Sequence, residues 1–381
     1  MAAARILHLH SVFDLGGQQA RAVKLMNHFG DMAEHVVLSS VPDALGARDA
    51  LDKAIKVEFP GDAAPALYGK PNMRRYFALA QYMKRFSLIL SYNWGAMDAV
   101  MAHTLLSRRY GLRPLIHHED GFSEDEIDKL NWKRNWFRTI ALQRSQSLVV
   151  PSKTLENIAL REWHQPSDKI VRFPNGIDVK RYSKTCQRGA FPGFVKREGE
   201  IVVGTVAGLR AVKNIPRLVR AVAAAGPNVR LAVAGEGPER DAIAAEARRL
   251  GISDRLMMPG FLRDPHRYVG LFDIFALSSD SEQYPISLVE AMAAGCAVAA
   301  TDVGDVYDIV ATPNRPYIVP RDDAALANAI KTLAEDADLR AMLGTKNRDK
   351  AFLEFDDVNM FARYRQLYGS AMGRADFARQ D

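Results

Sequence analysis

Short apolar runs rich in β-branched residues alternate with longer segments of helical period along the first half of the chain. Parallel strands need long crossover connections, usually helices, so this alternation predicts a parallel sheet covered by helices on both faces. The predicted strands span residues 5–8, 36–39, 88–92, 115–117, 147–150 and 170–173. The predicted helices span residues 17–29, 74–85, 96–108, 126–144 and 152–163.

The same pattern restarts after residues 183–200, which have no period and contain three glycines and a proline. A final apolar stripe over 356–375 predicts an amphipathic helix that must dock on a domain. The second set of strands is predicted at 201–206, 229–234, 256–258, 274–277, 297–300 and 317–319, and the helices at 214–225, 238–250, 286–294 and 323–334.

The expected architecture is therefore α/β, with two doubly wound Rossmann-like domains in tandem. We expect a first domain over 1–185, a linker over 186–200, a second domain over 201–355 and a C-terminal helical segment over 356–381. Ligands of such sheets bind at the carboxyl ends of the strands, so the chemistry is expected in strand-to-helix loops facing a cleft between the domains.

Length and composition restrict the class of protein. The 381 residues suit two domains of common size, and 48% hydrophobic with 25% charged residues exclude disordered, collagen-like and disulfide-scaffold proteins. Cys186 and Cys296 belong to no CxxC or His/Cys metal-ligand cluster, which favours a reducing compartment. The sequence has no secretory apolar region and no long apolar span. We therefore expect a cytoplasmic protein, with the inner face of the cytoplasmic membrane as the alternative location.

The net charge of +6 is unevenly distributed. Residues 1–180 hold 24 basic against 19 acidic side chains, and most of this excess lies in residues 70–144, with 13 against 7. Residues 70–85 and 129–144 interleave aromatics with cations, a pattern found where helices lie on anionic membranes, but also in ordinary helices with their aromatics inward. Nucleic acid is not expected as a partner because no recognition motif accompanies the charge.

Two loops carry features of phosphate sites. Gly16 and Gly17 follow the first strand and open a helix, where small residues allow a close backbone approach to an anion; a plain turn with positive φ is the alternative. Arg210 and Lys213 follow the first strand of the second half, next to a helix that Asn214 is expected to cap. By charge alone, a solvated surface pair is the favoured interpretation of Arg210 and Lys213.

A third segment, a loop and the helix after it, contains two glutamates separated by seven residues. Glu282 follows an apolar strand, and Glu290 lies about one turn inside the next helix, whose other side is apolar. A carboxylate in so apolar a helix requires a partner or a position near the helix N-terminus.

These residues form an E-x7-E pair within SSDSEQYPISLVEAMAAGCAVAATDVGD, residues 278–305, which resembles the signature of the retaining glycosyltransferases of family 4 with the two-domain GT-B fold. The resemblance implies that the C-terminal helix crosses back to the first domain. Other segments agree in order and spacing: Gly16-Gly17, VPSK at 150–153, FPNGID at 173–178, Lys213-Asn214, AGEGP at 234–238 and PGF at 259–261.

The resemblance implies a retaining sugar transfer from a nucleoside-diphosphate sugar, as co-substrate rather than cofactor, to a glycan or lipid-linked acceptor in envelope or exopolysaccharide synthesis. Glu290 would hold the ribose hydroxyls, Glu282 the hydroxyls of the transferred sugar, and Lys213 the diphosphate. The first domain's Gly16 and Gly17 would close on the diphosphate. The backbone lining the sugar and phosphate would come from Gln283, Tyr284, Pro285, Ile286 and Ser287.

Two site residues have alternatives: the second cation for the diphosphate and the histidine near the reacting centre. The family usually has Arg-Leu five residues before the lysine, where this chain has Gly208-Leu209, and Arg210 is the candidate replacement. His117 matches a histidine near the reacting centre in similar enzymes, with His118 as the adjacent alternative and a purely internal hydrogen bond as another.

A bound metal is not expected. The acidic run Asp120, Glu124, Asp125, Glu126 and Asp128 is expected to cap and solvate the next helix, and the Asp336-Ala-Asp338 sequence lies between two predicted helices. Cations and helix N-termini would stabilise the leaving phosphate instead. A nucleotide-sugar-binding protein without turnover and a nucleotide-dependent oxidoreductase are the alternatives, the latter disfavoured by the absence of GxGxxG.

Overall fold

The computed structural model of the protein describes residues 3–14, 16–67, 69, 72–122, 126, 130–183 and 186–378. The chain forms two compact units, one made of Met1–Pro174 with Met360–Asp381 and the other of Asn175–Asn359. Each unit contains a parallel sheet, which confirms the two tandem α/β domains.

The sheet of the first unit has seven strands in the order β3-β2-β1-β4-β5-β6-β7, all parallel. The strands are β1 Ala4–His10, β2 Ala33–Ser39, β3 Val57–Glu58, β4 Leu88–Tyr92, β5 Leu115–His118, β6 Ser147–Val150 and β7 Ile170–Arg172. The helices of this part of the chain are α1 Gly17–Phe29, α2 Met73–Met83, α3 Met97–Tyr110, α4 Trp132–Ala141 and α5 Lys153–Arg161.

The second unit has six parallel strands in the order β10-β9-β8-β11-β12-β13. They are β8 Ile201–Val206, β9 Val229–Ala234, β10 Leu256–Gly260, β11 Ile274–Leu277, β12 Ala297–Thr301 and β13 Ile318–Val319. Its helices are α6 Val179–Tyr182, α7 Ile215–Ala225, α8 Arg240–Arg249, α9 Ile286–Ala293, α10 Val306–Ile309, α11 Asp323–Glu335 and α12 Ala337–Glu354.

Strand alternation gives each sheet two apolar faces. In the first unit, Leu7 and Ile89 face the layer of α2 to α5, while Ile6 and Leu90 face α1. That second face also carries a cluster of aromatic and histidine side chains on β1, β2, β4 and β5. Its members are His8, His10, His35, Tyr92 and His118, all buried.

The C-terminal helix α13, Asp357–Met372, leaves the second unit at its first turn and packs on the first unit, as expected, followed there by α14, Ala375–Ala378. Tyr364 and Tyr368 are buried against the sheet, and the Tyr368 hydroxyl shares a 3.0 Å hydrogen bond with Nε2 of His118. The aromatic stripe predicted in this segment therefore forms part of the first unit's core.

The division between the units differs from the expected boundary at 185. The first unit ends at Pro174, because Ile177, Val179 and Phe191 are buried in the core of the second unit. Ile177 also forms a backbone bridge with Asp356. Residues 186–200, expected as a linker, belong to the second unit as well.

Several elements differ from the sequence-based expectation, among them the short helices α6, α10 and α14, which were not predicted. Helix α12 was not predicted because its buried side includes Gly344 and Asn347 in place of apolar residues. Strand β3 is only two residues long. Helix α4 begins later than predicted, since Asn131 caps it by accepting a hydrogen bond from the backbone N–H of Lys133. No helix in the described ranges is long and apolar enough to cross a membrane.

Candidate active site

Glu282 and Lys213 form an ion pair between two strand-to-helix loops of the second unit. Glu282 lies in the loop after β11, and Lys213 lies after β8, so both follow the carboxyl ends of neighbouring strands. The Lys213 ammonium is 2.6 Å from Oε1 of Glu282, and the Ser279 hydroxyl donates to the same oxygen over 2.7 Å. The two charged side chains are 16% and 8% exposed, so the pair is largely shielded from water.

Backbone and side-chain bonds hold the two loops in place. Asn214 adopts a left-handed conformation with φ 42°, and its side chain caps α7 by accepting from the Arg217 backbone N–H. Asp280 accepts hydrogen bonds from Arg217 over 2.7 Å and from Asn214 over 3.0 Å. Because these bonds join the β8 loop to the β11 loop, Lys213 and Glu282 face each other across a fixed distance.

Glu290 lies on the second turn of α9 and interacts with Tyr182 of α6. The Tyr182 hydroxyl donates to Oε1 of Glu290 over 2.7 Å. Burial raises the pKa of Tyr182 far above its ordinary value, and the nearby Glu290 carboxylate raises it further. Tyr182 therefore stays protonated and acts only as a donor, which orients the carboxylate of Glu290.

The segment between the two glutamates provides polar backbone at a helix start. Helix α9 begins at Ile286 after Pro285, with no side chain capping its first turn. Such a turn has N–H groups without helical partners and carries the positive end of the helix dipole. The side-chain oxygen of Gln283 is buried, and within the described part of the chain it has no hydrogen-bond partner. Of the predicted lining residues, Tyr284 and Ser287 are partly buried here.

Gly304, in the loop after β12, packs closely against the backbone of Glu282. Its φ is 55°, and a Cβ atom at this position would lie 2.1 Å from the carbonyl oxygen of Glu282. Any larger residue would push against the backbone that positions the carboxylate. A similar close approach occurs at Gly237, where a Cβ would lie 2.4 Å from the carbonyl oxygen of Leu209 in the β8 loop.

Arg210 and Gly208 lie beside each other in the β8 loop. Arg210 is exposed, and its Nε lies 3.9 Å from the position that a Cβ of Gly208 would occupy. The guanidinium thus lies close to where a side chain at position 208 would begin.

The first unit places Gly16 as the N-terminal cap of α1, in an extended conformation with φ −159°. Gly16 and Gly17 are both exposed, and neither is among the described glycines with positive φ. The alternative explanation, that the turn needs glycine for a positive φ, is therefore excluded for Gly16 and Gly17. Leu15, between Asp14 and Gly16, lies outside the described residues.

His117 and His118 point to opposite faces of the sheet because they are consecutive strand residues. Nδ1 of His117 shares a 2.9 Å hydrogen bond with the Ser91 hydroxyl, while its buried Nε2 has no hydrogen-bond partner among the described residues. His118 is bonded through both nitrogens, to Tyr368 and to the Ser91 carbonyl, and burial lowers its pKa well below the ordinary value.

A buried cluster around His117 was not found from the sequence. Nε2 of His117 lies 3.7 Å from Oε2 of Glu119, which accepts a hydrogen bond from Nε of Arg138 over 3.1 Å. The Arg138 guanidinium lies between the rings of Trp94 and Trp163, 5.0 Å from each centroid. These contacts join α4 to the end of β5.

The acidic run after β5 behaves differently from the expected solvated cap. Asp120 forms a two-pronged ion pair with Arg21 of α1, at 2.5 and 2.7 Å. Glu126 accepts from the Asn131 backbone N–H, as a capping role requires, but also binds Arg134 over 2.8 Å. Asp120 is therefore engaged in holding the loop to α1. Glu124, Asp125 and Asp128 lie outside the described residues.

Sequence reasoning identified Lys213, Glu282 and Glu290 as one site but missed the side chains that hold them. Tyr182 is 108 residues from Glu290, and no local pattern joins them. Within the described part of the chain, no group of three His, Cys, Asp or Glu side chains could hold a metal ion. Asp336 instead caps α12, accepting from the Leu339 backbone N–H over 2.8 Å.

Comparison with known proteins gives matches over most of the chain. The family described as Glycosyl transferases group 1 matches residues 189–350, and Glycosyltransferase Family 4 matches residues 15–181. The N-acetyl-alpha-D-glucosaminyl L-malate synthase of Bacillus anthracis is 24% identical over 276 residues, which cover 72% of this chain and 71% of that protein. The 2-deoxystreptamine glucosyltransferase of Streptomyces kanamyceticus is 34% identical over 222 residues, covering 53% of this chain and 56% of that protein.

A solved structure shares the fold over nearly the whole length. Anabaena HepE in complex with UDP has a TM-score of 0.79 and 21% identity, covering 96% of this chain and 100% of HepE. At this level of identity the likeness concerns the fold.

Proposed function

The chain belongs to the glycosyltransferases of group 1 and family 4, and on that premise we propose that it moves a sugar from a UDP or GDP sugar to a hydroxyl of a glycan or lipid-linked acceptor, with retention at the anomeric carbon. The observation that supports the proposal best is the Lys213–Glu282 ion pair, held by two loops in the same unit as the Tyr182–Glu290 pair. Cell-envelope or exopolysaccharide synthesis is the proposed context.

Lys213 is proposed to bind the diphosphate of the donor. A diphosphate carries more charge than a carboxylate and can replace Glu282 as the partner of the ammonium. The N-terminus of α9 would add backbone N–H groups and a positive dipole end. Because this charge stabilises the leaving phosphate as it becomes more negative, we propose that the reaction needs no metal ion.

Arg210 is proposed as a second cation for the diphosphate. The support is the proximity of its Nε to the empty side-chain position of Gly208. Arg210, two residues after Gly208, thus brings its guanidinium close to the position of the Cβ atom of the arginine that the family usually has at position 208.

Glu290 is proposed to bind the ribose hydroxyls, and Glu282 the hydroxyls of the transferred sugar. The hydrogen bond from Tyr182 to Oε1 orients the Glu290 carboxylate for this role. Once Lys213 turns to the diphosphate, Glu282 is free to accept hydrogen bonds from the sugar. Gln283 to Ser287 would line the sugar with backbone, and the buried oxygen of Gln283 is a further acceptor.

In the proposed step, the bond between the anomeric carbon and the diphosphate oxygen breaks as the acceptor oxygen bonds to the same face of that carbon. The acceptor's proton passes to the departing phosphate, and nucleoside diphosphate leaves. Glu282 orients the sugar without forming a covalent bond. Gly16 and Gly17 would close on the diphosphate. His117 rather than His118 is proposed near the reacting centre, because no described residue forms a hydrogen bond with its Nε2.

A nucleotide screen tests the donor. UDP or GDP is expected to raise the melting temperature, because a ligand that binds the folded state stabilises it. ADP serves as the comparison, and Glu290→Ala should weaken the shift. If neither UDP nor GDP shifts the melting temperature, the nucleotide-sugar proposal is wrong.

Two further measurements separate transfer from mere binding. Glu282→Ala is expected to bind donor but to transfer little sugar, and undiminished transfer would exclude the role assigned to Glu282. Transfer is also expected to continue in EDTA, whereas a strict Mg²⁺ requirement would contradict a reaction driven by Lys213 and α9 alone. For a lipid-linked acceptor, we propose that the enzyme works in peripheral contact with an anionic membrane surface.

A further inference from the structure

The outer face of α4 exposes two tryptophans that its amphipathic pattern would be expected to bury. Trp132 and Trp136 are 72% and 64% exposed, and they lie on one side of the helix because they are four residues apart. Two exposed indoles on one helix face are unusual for a surface that only meets water. The aromatics of residues 129–144 are thus not all directed inward.

The helices beside these tryptophans form a strongly basic surface. Helix α2 packs against α3, and α3 against α4. Within the bounds of these three described helices, Asp98 is the single carboxylate, and it pairs with Arg75. Exposed cations include Lys133 of α4 and Arg108 and Arg109 of α3.

The basic surface continues into a recess at the C-terminal ends of α3 and α4. The recess has a volume of about 460 Å³, and Arg113 and Arg144 contribute to its lining together with Gln143. Its lining residues include no carboxylate. A space with two guanidinium groups and no acidic side chain suits an anionic headgroup.

We propose that this outer face of α2, α3 and α4 docks on an anionic lipid bilayer, with Trp132 and Trp136 among the headgroups. Indole rings have one apolar and one polar edge and concentrate at that depth of a bilayer. Leu105 of α3 is also exposed, at 52%, and an aliphatic side chain gains from an apolar interface but not from stacking on bases. The surface therefore fits a membrane better than nucleic acid.

The position of α4 relates this surface to the reaction. Helix α4 follows β5, so its N-terminal end with Trp132 lies toward the carboxyl edge of the first unit's sheet. A bilayer against α4 would bring lipid-linked acceptors to that edge. The docking specifies the membrane contact of the proposed function, and its relation to the acceptor rests on that function.

Vesicle co-sedimentation tests the docking with the full chain. We expect binding to vesicles of phosphatidylcholine with about one third phosphatidylglycerol, and little binding to pure phosphatidylcholine. The Trp132→Ala/Trp136→Ala variant should lose about tenfold or more in binding. Each of Lys133→Glu and Arg108→Glu should lose more than about fivefold, which is the effect of one basic residue at an anionic surface, because the change also adds a negative charge. Binding of the native chain should weaken as salt is raised.

Matched controls lie in the second unit. Leu353 of α12 is 76% exposed, and Lys346 of the same helix is exposed, so Leu353→Ala and Lys346→Glu should bind vesicles as the native chain does. Tryptophan fluorescence gives a second readout: brominated lipid should quench the native chain strongly, and the double variant, which keeps Trp94 and Trp163, only weakly.

Three results would overturn the proposal: no binding to the anionic vesicles at low salt, equal binding by the double variant, or tight binding to a DNA duplex with none to vesicles. Nucleotide-induced shifts in melting temperature are measured on the same variants. Because the changed side chains are exposed and belong to the first unit, these shifts should persist. Loss of docking with intact nucleotide binding thus separates this inference from the transfer reaction.

Discussion

The Tyr182 hydroxyl lies 2.7 Å from Oε1 of Glu290, joining a four-residue helix to the helix that starts after the Glu282 loop. Tyr182 is buried, and its raised pKa keeps the hydroxyl protonated at any ordinary pH. The hydrogen bond therefore fixes the orientation of the Glu290 carboxylate. Preorganisation of this kind reduces the side-chain freedom lost when a ligand binds.

Tyr182→Phe tests this relationship, because the change removes one hydroxyl and keeps the ring. A hydrogen bond to a charged group contributes about 1.5–3 kcal/mol, so we expect the donor KM to rise at least about tenfold with little change in kcat. The measurement is the separate determination of KM and kcat. Tyr317→Phe, at a partly buried tyrosine elsewhere in the same unit, is the control. An unchanged donor KM would show that Tyr182 does not position Glu290.

Lys213→Met should affect the chemical step more than binding. Removing a group that stabilises charge in a transition state typically costs about 100-fold to 1,000-fold in kcat. Lys346→Met, at an exposed lysine of α12, controls for the loss of a positive charge from the same unit. If Lys213→Met raises only the donor KM and leaves kcat intact, the lysine contributes binding but no transition-state stabilisation.

The alternation of strands and helices could be predicted because each buried element repeats an apolar period in a local stretch of sequence. The prediction failed where burial is not apolar: α12 buries Asn347, whose side chain bonds the backbone of Ala311 and Cys296. Such a residue looks solvent-exposed in a hydropathy pattern. The packing of residues 175–183 and 186–200 within the second unit likewise depends on contacts with elements that are distant in the sequence.

The residues of the candidate site could be predicted from the sequence, but the contacts between their side chains could not. Lys213 and Glu282 are 69 residues apart, and their contact follows from the adjacency of β8 and β11, which a strand order alone determines. Strand alternation also explains why His117 and His118 have different partners, a distinction that two adjacent histidines in a sequence do not reveal.

Gly304→Ala should impair transfer through the backbone of Glu282. The added Cβ would lie 2.1 Å from the Glu282 carbonyl oxygen, so the Glu282 loop must move. Gly111→Ala is the matched control: its φ of 59° is similar, but among the described residues nothing beyond its chain neighbours lies within 4 Å of the added Cβ. Both variants should lose about 1 kcal/mol of stability through backbone strain. Only Gly304→Ala should lose transfer activity, and equal activity in the two variants would contradict a supporting role for Gly304.

The histidine cluster of the first unit should make the protein sensitive to acid. Burial lowers the pKa of His10 from 6.5 to about 3 and that of His35 to about 4, and those of His8 and His118 are well below 6.5 as well. The unfolded chain therefore binds more protons than the folded chain below pH 6.5. The stability that these groups contribute is complete above that pH and is lost as the pH falls toward 4. Each such histidine adds up to about 1.4 kcal/mol per pH unit to the slope of the free energy of unfolding.

His10→Phe isolates one member of that cluster. The His10 ring stacks on Tyr92 with centroids 4.1 Å apart, and both of its buried nitrogens lack hydrogen-bond partners in the described ranges. A phenyl ring can therefore keep the stacking and remove the titration. Urea unfolding from about pH 8 to pH 4 should give similar free energies for the two chains at the alkaline end. The variant should become progressively more stable than the native chain below pH 6.5, because one fewer proton is taken up on unfolding. Parallel curves for the two chains would mean that His10 does not contribute to the acid sensitivity of the first unit.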